Sequence, residues 1–324
     1  MAEKLIVKSS PHIKSPVNTQ RIMLDVIIAM VPALLCSVFI FGFRALLLTV
    51  VCVFSCVVFE YASRALMKRE NTISDLSAVV TGMLLAFNLP VTFPFWIAVI
   101  GSFFAIVIVK QLFGGIGQNF VNPAIAARVF LLISFATPMT DWVIPKLTND
   151  GIALVSGATP LPLLAQGKML MMPPYHYMLF GLRGGCLGET AILALLLGGL
   201  YLIVRGVITP TIPVVYLGTV AVLSLLFGVD PIFHLLSGGV VLGAFFMATD
   251  YTTSPATERG KVIFAFGCGL ITMLIRVFGS YPEGASFSIL FMNILVPHIN
   301  NLTRLTPFAA VKAQKKNKAK EGQA

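Results

Sequence analysis

"DLSAVVTGMLLAFNLPVTFP" occupies residues 75–94. Its apolar part, 76–89, is shorter than the roughly 20 residues a helix needs to cross a bilayer, and it runs into Asn88-Leu89-Pro90. A short helix with a polar end survives at membrane depth only when it is buried in protein or lines a cavity. A second stretch, "FHLLSGGVVLGAFFMATDYTTSP" at 233–255, has the same plan: a helix rich in small residues that ends in a polar, proline-containing break. Two such segments in corresponding halves of a chain are the signature of an inverted repeat, whose broken helices meet near the midplane.

The rest of the chain supports a membrane setting. Of its 324 residues, 57% are hydrophobic and 11% are charged, against about 25% charged in soluble domains. Ten apolar segments are expected, at 22–41, 45–66, 76–89, 93–110, 123–137, 188–205, 211–229, 232–250, 261–279 and 285–303. The fold class is therefore an all-α polytopic membrane protein of about ten transmembrane helices, in an inverted five-plus-five repeat. Its parts are an amino-terminal segment 1–21, a first half 22–137, a loop 138–187, a second half 188–303 and a basic tail 304–324. The polar amino terminus does not read as a cleaved signal peptide.

Ten spans place both termini on one side. With the amino terminus in the cytoplasm, seventeen lysines and arginines fall inside and four outside, Arg44, Lys146, Lys168 and Arg183. Arg128 and Arg276 lie within spans. Positive loops face the cytoplasm, so both termini are expected there and loop 138–187 is expected outside. The net charge of +10 sits between spans and in the tail, which fits orientation and anionic lipid and excludes a nucleic-acid binder.

Charged groups at span level are expensive and are candidates for function. They include Asp25, Glu60, Asp75, Arg128, Asp250, Arg276 and Glu189, the last following the glycine-rich "RGGCLGE" (183–189) with Arg183, Gly184 and Gly185. Asp25, Asp75 and Asp250 are the expected ion-pathway acids for Na+ or H+. Two polar breaks, "GGIGQNFVNPAIAAR" (114–128) and "TDYTTSPATERGK" (249–261), place amides or hydroxyls beside a proline at a helix start. Such breaks serve equally as capped loops or as seats for a cation or polar ligand. Among them Asn119, Asn122 and Arg128 are candidate ligand contacts. The five cysteines form no CxxC and no cluster spacing. His234 and His298 fall near opposite ends of their spans, too far apart in depth for a bis-histidine haem. No metal is expected, no side chain is expected to be catalytic, and a redox role would need an organic cofactor.

The extracytoplasmic loop contains "SGAT", Ser156-Gly157-Ala158-Thr159. A turn is one reading. With "SDLSAVVTGMLLAFNLP" (74–90), "GGIGQNFVNPAIAAR" and "TDYTTSPAT" (249–257), however, the chain resembles the NqrB/RnfD family. That family supplies membrane components to the Rnf ferredoxin:NAD+ oxidoreductase complexes and to the sodium-pumping NADH:quinone reductases. The short polar amino terminus favours the Rnf side. The resemblance implies FMN joined through a phosphoester to Thr159 by an extracytoplasmic flavin transferase. It also implies a non-covalent riboflavin nearer the cytoplasm, for which the 114–128 break is the expected seat. The expected partners are the other subunits of the complex, A, B, C, E and G, in a bacterial or archaeal cytoplasmic membrane. Thr159 is expected in an exposed Gly-Ala loop that a modifying enzyme can reach. A channel or secondary transporter without a redox centre and a scaffold component are the competing readings, and a flavin-attachment motif separates them from the first.

Overall fold

The computed structural model describes residues 18–148, 151–157, 159–161, 173–279 and 283–304. The first seventeen residues, Ala158 and the tail from 305 onward lie outside the described residues. Helix α1 (Thr19–Phe41) starts on Asn18, whose side chain accepts from the Arg21 N–H at 2.9 Å. It ends at Gly42, whose φ of 78° turns the chain directly into α2 (Phe43–Leu66). A short 3-10 turn (Ile73–Asp75) leads into α3 (Ser77–Phe87). Helix α4 (Phe95–Phe103) continues as a π-helical stretch (Phe104–Gln111), and α5 (Pro123–Ser134) is followed by the short α6 (Ala136–Thr140). After the loop region come α7 (Tyr175–Phe180), α8 (Ile192–Val204), α9 (Thr211–Leu226), α10 (Pro231–Leu236) and α11 (Val240–Leu242), extended by a π-helical Gly243–Met247. Helices α12 (Glu258–Phe278) and α13 (Gly284–Leu302) complete the bundle.

By length and composition, α1, α2 and α12 can each cross a membrane, while α3, α5, α8, α9 and the α4 unit are shorter apolar helices. The outward faces carry large apolar side chains, Phe39 (86% exposed) among them. Such a surface is at home in lipid rather than water. The chain is a helical, multi-pass membrane protein. Small residues let the helices approach closely. A Cβ on Gly198 of α8 would stand 2.1 Å from the Ala29 carbonyl oxygen of α1. One on Gly82 of α3 would stand 2.6 Å from Val53 Cα of α2.

Two features add to the expected helical fold. Within the loop, Val143–Thr148 (β1) and Gly151–Ser156 (β2) pair as an antiparallel hairpin, with Val143 opposite Ser156. β-Branched Val143, Ile144, Ile152 and Val155 favour strands. The segment expected as one span at 232–250 is interrupted inside the apolar run, at Ser237-Gly238-Gly239 between α10 and α11.

The interruption in the second half has a counterpart in the first. Leu76, with φ 63°, separates the 3-10 turn from α3, and Gly238, with φ 66°, separates α10 from α11. Left-handed backbone is costly for leucine. It is held here by Asp75, whose Oδ1 accepts from the Ser77 N–H (2.8 Å) and Oγ–H (2.5 Å). A cation from a neighbouring helix closes each break. Lys110 donates to Ser77 Oγ (2.6 Å), and Arg276 donates to the carbonyls of His234 (2.6 Å) and Ser237 (2.8 Å).

Candidate functional site

Two polar regions lie at different depths. The first is a cavity of about 510 Å³ at the end of the bundle where α1 begins. Its wall includes Ser77, Lys110, Asn119, Asn122 and Asp250, and also Phe245 and Phe246. Asn122 caps α5 by accepting from the N–H groups of Ala124 (3.0 Å) and Ile125 (3.3 Å), and it donates to the Met247 carbonyl (3.3 Å). Pro123 at the first helical position suits that cap. With its amide turned to satisfy both ends, Asn293 of α13 donates to Thr253 O (3.0 Å) and accepts from the Asn122 N–H (3.1 Å). Asn119 donates to Val121 O at 3.1 Å. The 114–128 break is therefore a cavity wall and a helix cap at once.

Lys110 belongs to this wall. At the last position of the expected span 93–110, it is 2% exposed. It bonds Glu60 Oε2 at 2.8 Å, and Glu60 in turn accepts from Thr72 Oγ1 at 3.1 Å. A buried charge without such partners would be strongly unfavourable.

The second region is a polar centre deeper in the bundle. The "RGGCLGE" segment docks on the carboxyl end of α3. Leu187 and Gly188 donate their N–H groups to the carbonyls of Leu89 and Phe87, both at 3.0 Å. Glycine is required there, since a Cβ on Gly188 would stand 2.3 Å from Phe87 Cβ. A Cβ on Gly185 would stand 2.5 Å from Glu189 Oε1, and Gly184 is buried beside it. Arg183 donates to the Glu189 carbonyl at 2.7 Å. Glu189 Oε2 faces Gly239 at the amino end of α11, where a carboxylate complements the helix dipole. Arg128 donates to Asn88 Oδ1 (2.6 Å), reaches Cys186 Sγ (3.5 Å) and pairs with Glu283. Asn88 also reaches Met247 Sδ at 3.8 Å, so the ends of α3 and α11 meet between the two regions.

Cys186, Glu189 and Glu283 bring ligand atoms within 4.8 Å of one another. The Arg128 guanidinium already lies against Cys186 and Glu283. A fixed cation there takes the place a metal ion would need.

Among the described residues, several buried polar atoms of this centre have no partner: Arg183 Nε and Nη1, Arg276 Nε, Glu189 Oε2, both ring nitrogens of His234, and Ser237 Oγ. Leu161, two residues beyond the SGAT threonine, lies beside them. Leu161 Cδ1 stands 3.1 Å, and Arg276 Nη2 2.8 Å, from where a Cβ on Gly238 would be. Thr159 is 4% exposed; the exposed loop expected from the sequence is corrected to a buried threonine. Ser156 ends β2, and Gly157 donates its N–H to Trp142 O at 3.1 Å. At the rim Tyr175 donates to Asp230. Holding that proton pushes the phenol above its usual value.

The three acids singled out from the sequence separate. Asp25 accepts from Tyr201 Oη (2.9 Å) and Arg205 (3.3 Å), tying α1 to α8. Asp75 is engaged at the start of α3. Asp250 faces the cavity, accepting from the hydroxyls of Thr252 (3.1 Å) and Thr253 (3.2 Å). The sequence reading missed the Lys110–Glu60 pair and the convergence of His234, Ser237 and Arg276, because each joins residues tens of positions apart.

The model of the NQR2, RnfD, RnfE family matches residues 6–309. The chain is 53% identical, over 97% of its length and 98% of the relative's, to the D subunit of the Na+-translocating ferredoxin:NAD+ oxidoreductase complex of Acetobacterium woodii. It is 42% identical to the D subunit of the proton-translocating ferredoxin:NAD+ oxidoreductase complex of Clostridium ljungdahlii, over 93% of this chain and 95% of that one. It is 41% identical to the D subunit of the ion-translocating oxidoreductase complex of Stutzerimonas stutzeri, over 89% and 91%.

Proposed function

The chain belongs to the NQR2, RnfD, RnfE family, and on that basis we propose that it is a redox subunit of an ion-translocating ferredoxin:NAD+ oxidoreductase complex in a bacterial or archaeal cytoplasmic membrane. In this reading Thr159 carries FMN as a phosphoester, attached by a flavin transferase outside the cytoplasm. The inner cavity holds a non-covalent riboflavin. Both termini are cytoplasmic, and the hairpin loop is extracytoplasmic. The other complex subunits, A, B, C, E and G, deliver and remove the electrons.

One observation carries the reading. A cavity of about 510 Å³, within the range of ligand sites, lies at one end of α5, and the centre beside Thr159 lies further along the same helix. When bound, the two flavins would supply the one-electron carriers; the protein supplies placement and electrostatics. Asn119 and Asn122 offer amide hydrogen bonds, and Phe245 and Phe246 offer apolar surface for a flat ring system. Lys110, held by Glu60, supplies a fixed positive charge at the wall. Arg128 and Asn88 hold the ends of α3 and α11 in register between the two sites. Asp250, on the cavity wall, is the acid best placed to take part in Na+ or H+ translocation. The matched breaks at Leu76 and Gly238, each closed by a cation from a neighbouring helix, support an inverted repeat.

The test is direct. Wild type and Thr159→Ala are produced with an active transferase, run on a denaturing gel and viewed under ultraviolet light. A fluorescent band lost in the variant is the expected result. No band in the wild type would sink the covalent-flavin assignment and favour a transporter without a redox centre.

A further inference from the structure

We propose that the polar centre beside Thr159 is an anion seat that holds the phosphodiester of the threonine-linked flavin, with Arg183 and Arg276 as positioning residues. The proposal rests on the reading of Thr159 as the attachment point.

The charge pattern comes first. Three guanidiniums, Arg128, Arg183 and Arg276, converge with two carboxylates, Glu189 and Glu283. Arg128 and Glu283 pair with each other. Glu189 is shared by all three guanidiniums. Asp230 stands at the exposed rim, where it accepts from Tyr175 and caps α10 through the N–H groups of Ile232 and Phe233. Among the described residues, the buried set therefore carries one positive charge in excess. Low-dielectric surroundings make such an excess costly unless an anion joins it. A phosphodiester brings one negative charge.

The donors point the same way. Backbone carbonyls pin each guanidinium by its Nη groups: Arg276 on His234 and Ser237, Arg183 on Glu189. Among the described residues, the Nε of each and Arg183 Nη1 remain without partners, as do Ser237 Oγ and both His234 nitrogens. Arg183, His234 and Ser237 are each at most 2% exposed, so bulk water does not satisfy them. Buried donors are almost always paired in folded proteins. Several buried orphan donors on neighbouring residues call for an acceptor-rich occupant, and arginine suits phosphate oxygens best. Leu161 lies against Gly238 and close to Arg276. Thr159, two residues earlier, is thus the hydroxyl that would deliver a phosphate to this place.

Two measurements test the seat, both on the assembled complex. The first is covalent flavin per complex, by in-gel fluorescence, in Arg183→Gln, Arg276→Gln and the charge-keeping Arg183→Lys and Arg276→Lys. Losing one hydrogen bond to a charged group predicts a drop on the order of tenfold in the glutamine variants, with partial recovery in the lysine variants. The second uses Thr159→Ala, which has no tether. Inorganic phosphate is expected to raise its unfolding temperature above that in chloride of equal ionic strength, and Arg183→Gln in that background abolishes the rise. Flavin levels unchanged in both glutamine variants, with no phosphate-dependent rise, would overturn the seat while leaving Thr159 flavinylation intact. No flavin on the wild type would overturn the attachment reading and the proposed ligand together. The phosphate response does not depend on flavin, so it also tells a seat from arginines that merely support the fold.

Discussion

Lys110 Nζ lies 2.8 Å from Glu60 Oε2, with the two side chains 3% and 0% exposed. The pair joins the end of the α4 unit to α2 and closes the break before α3. Removing one member leaves an uncompensated buried charge, which costs about 3–5 kcal/mol. Lys110→Met should therefore lower the unfolding temperature in detergent sharply. Lys110→Met with Glu60→Leu should recover most of the loss. A single variant as stable as wild type would show that the pair does not form.

Asn122 has two tasks, and they separate experimentally. As the cap of α5 its loss costs about 1 kcal/mol. As a cavity residue its loss should lower the non-covalent flavin released on denaturing the protein. Asn122→Ser keeps an acceptor for the cap but shortens the reach toward Met247. It should restore stability and not the released flavin, and full recovery of both would remove Asn122 from the flavin site.

Gly198 and Gly218 form a matched pair for substitution. At Gly198 a methyl group would stand 2.1 Å from the Ala29 carbonyl, whereas at Gly218 of α9 nothing lies within 4 Å. Gly198→Ala should push α1 from α8 and destabilise by about 1–3 kcal/mol. Gly218→Ala should be neutral or stabilise by up to about 1 kcal/mol through helix propensity. Thermal unfolding of the two variants side by side decides it.

The three acids should differ in ion transport. Asp250 faces the cavity, while Asp25 is taken by Tyr201 and Arg205 and Asp75 by the α3 start. In vesicles carrying the whole complex, Asp250→Asn should reduce ions moved per electron, and Asp25→Asn should leave that ratio unchanged. The Arg205 partner is largely exposed, so Asp25→Asn should also cost under about 1 kcal/mol. Loss of the ratio in Asp25→Asn alone would reverse the assignment.

Hydropathy located most of the helices, because a run of apolar residues is a local property. The expected span 45–66 matches α2 (Phe43–Leu66), and 261–279 matches α12 (Glu258–Phe278), each to within three residues. The interruption at Ser237-Gly238-Gly239 was hidden, since an average over an apolar window does not register three small residues. The hairpin carried a readable sign: Asn149-Asp150-Gly151 is a turn sequence between β-branched runs. Lys110 illustrates the other limit. At the end of an apolar run it looks like a loop charge, and only Glu60, fifty residues earlier, makes it a buried one. The SGAT threonine was found by motif, but its burial depends on how the hairpin, Leu161 and the α10–α11 break pack together.

The shortness of α3 and the shared helix α5 also bear on how the membrane voltage acts. Asn122 on the cavity wall and Arg128 in the polar centre are six residues apart on α5, about 9 Å along its axis. The surrounding hydrocarbon is about 30 Å thick. With the two polar regions open to opposite sides of the membrane, as proposed, the electrically insulating layer would be confined to that narrow waist. The field there would be steeper than in the neighbouring lipid. A charge moved between the two regions would cross most of the potential in one short step, worth up to about 2.3 kcal/mol per 100 mV.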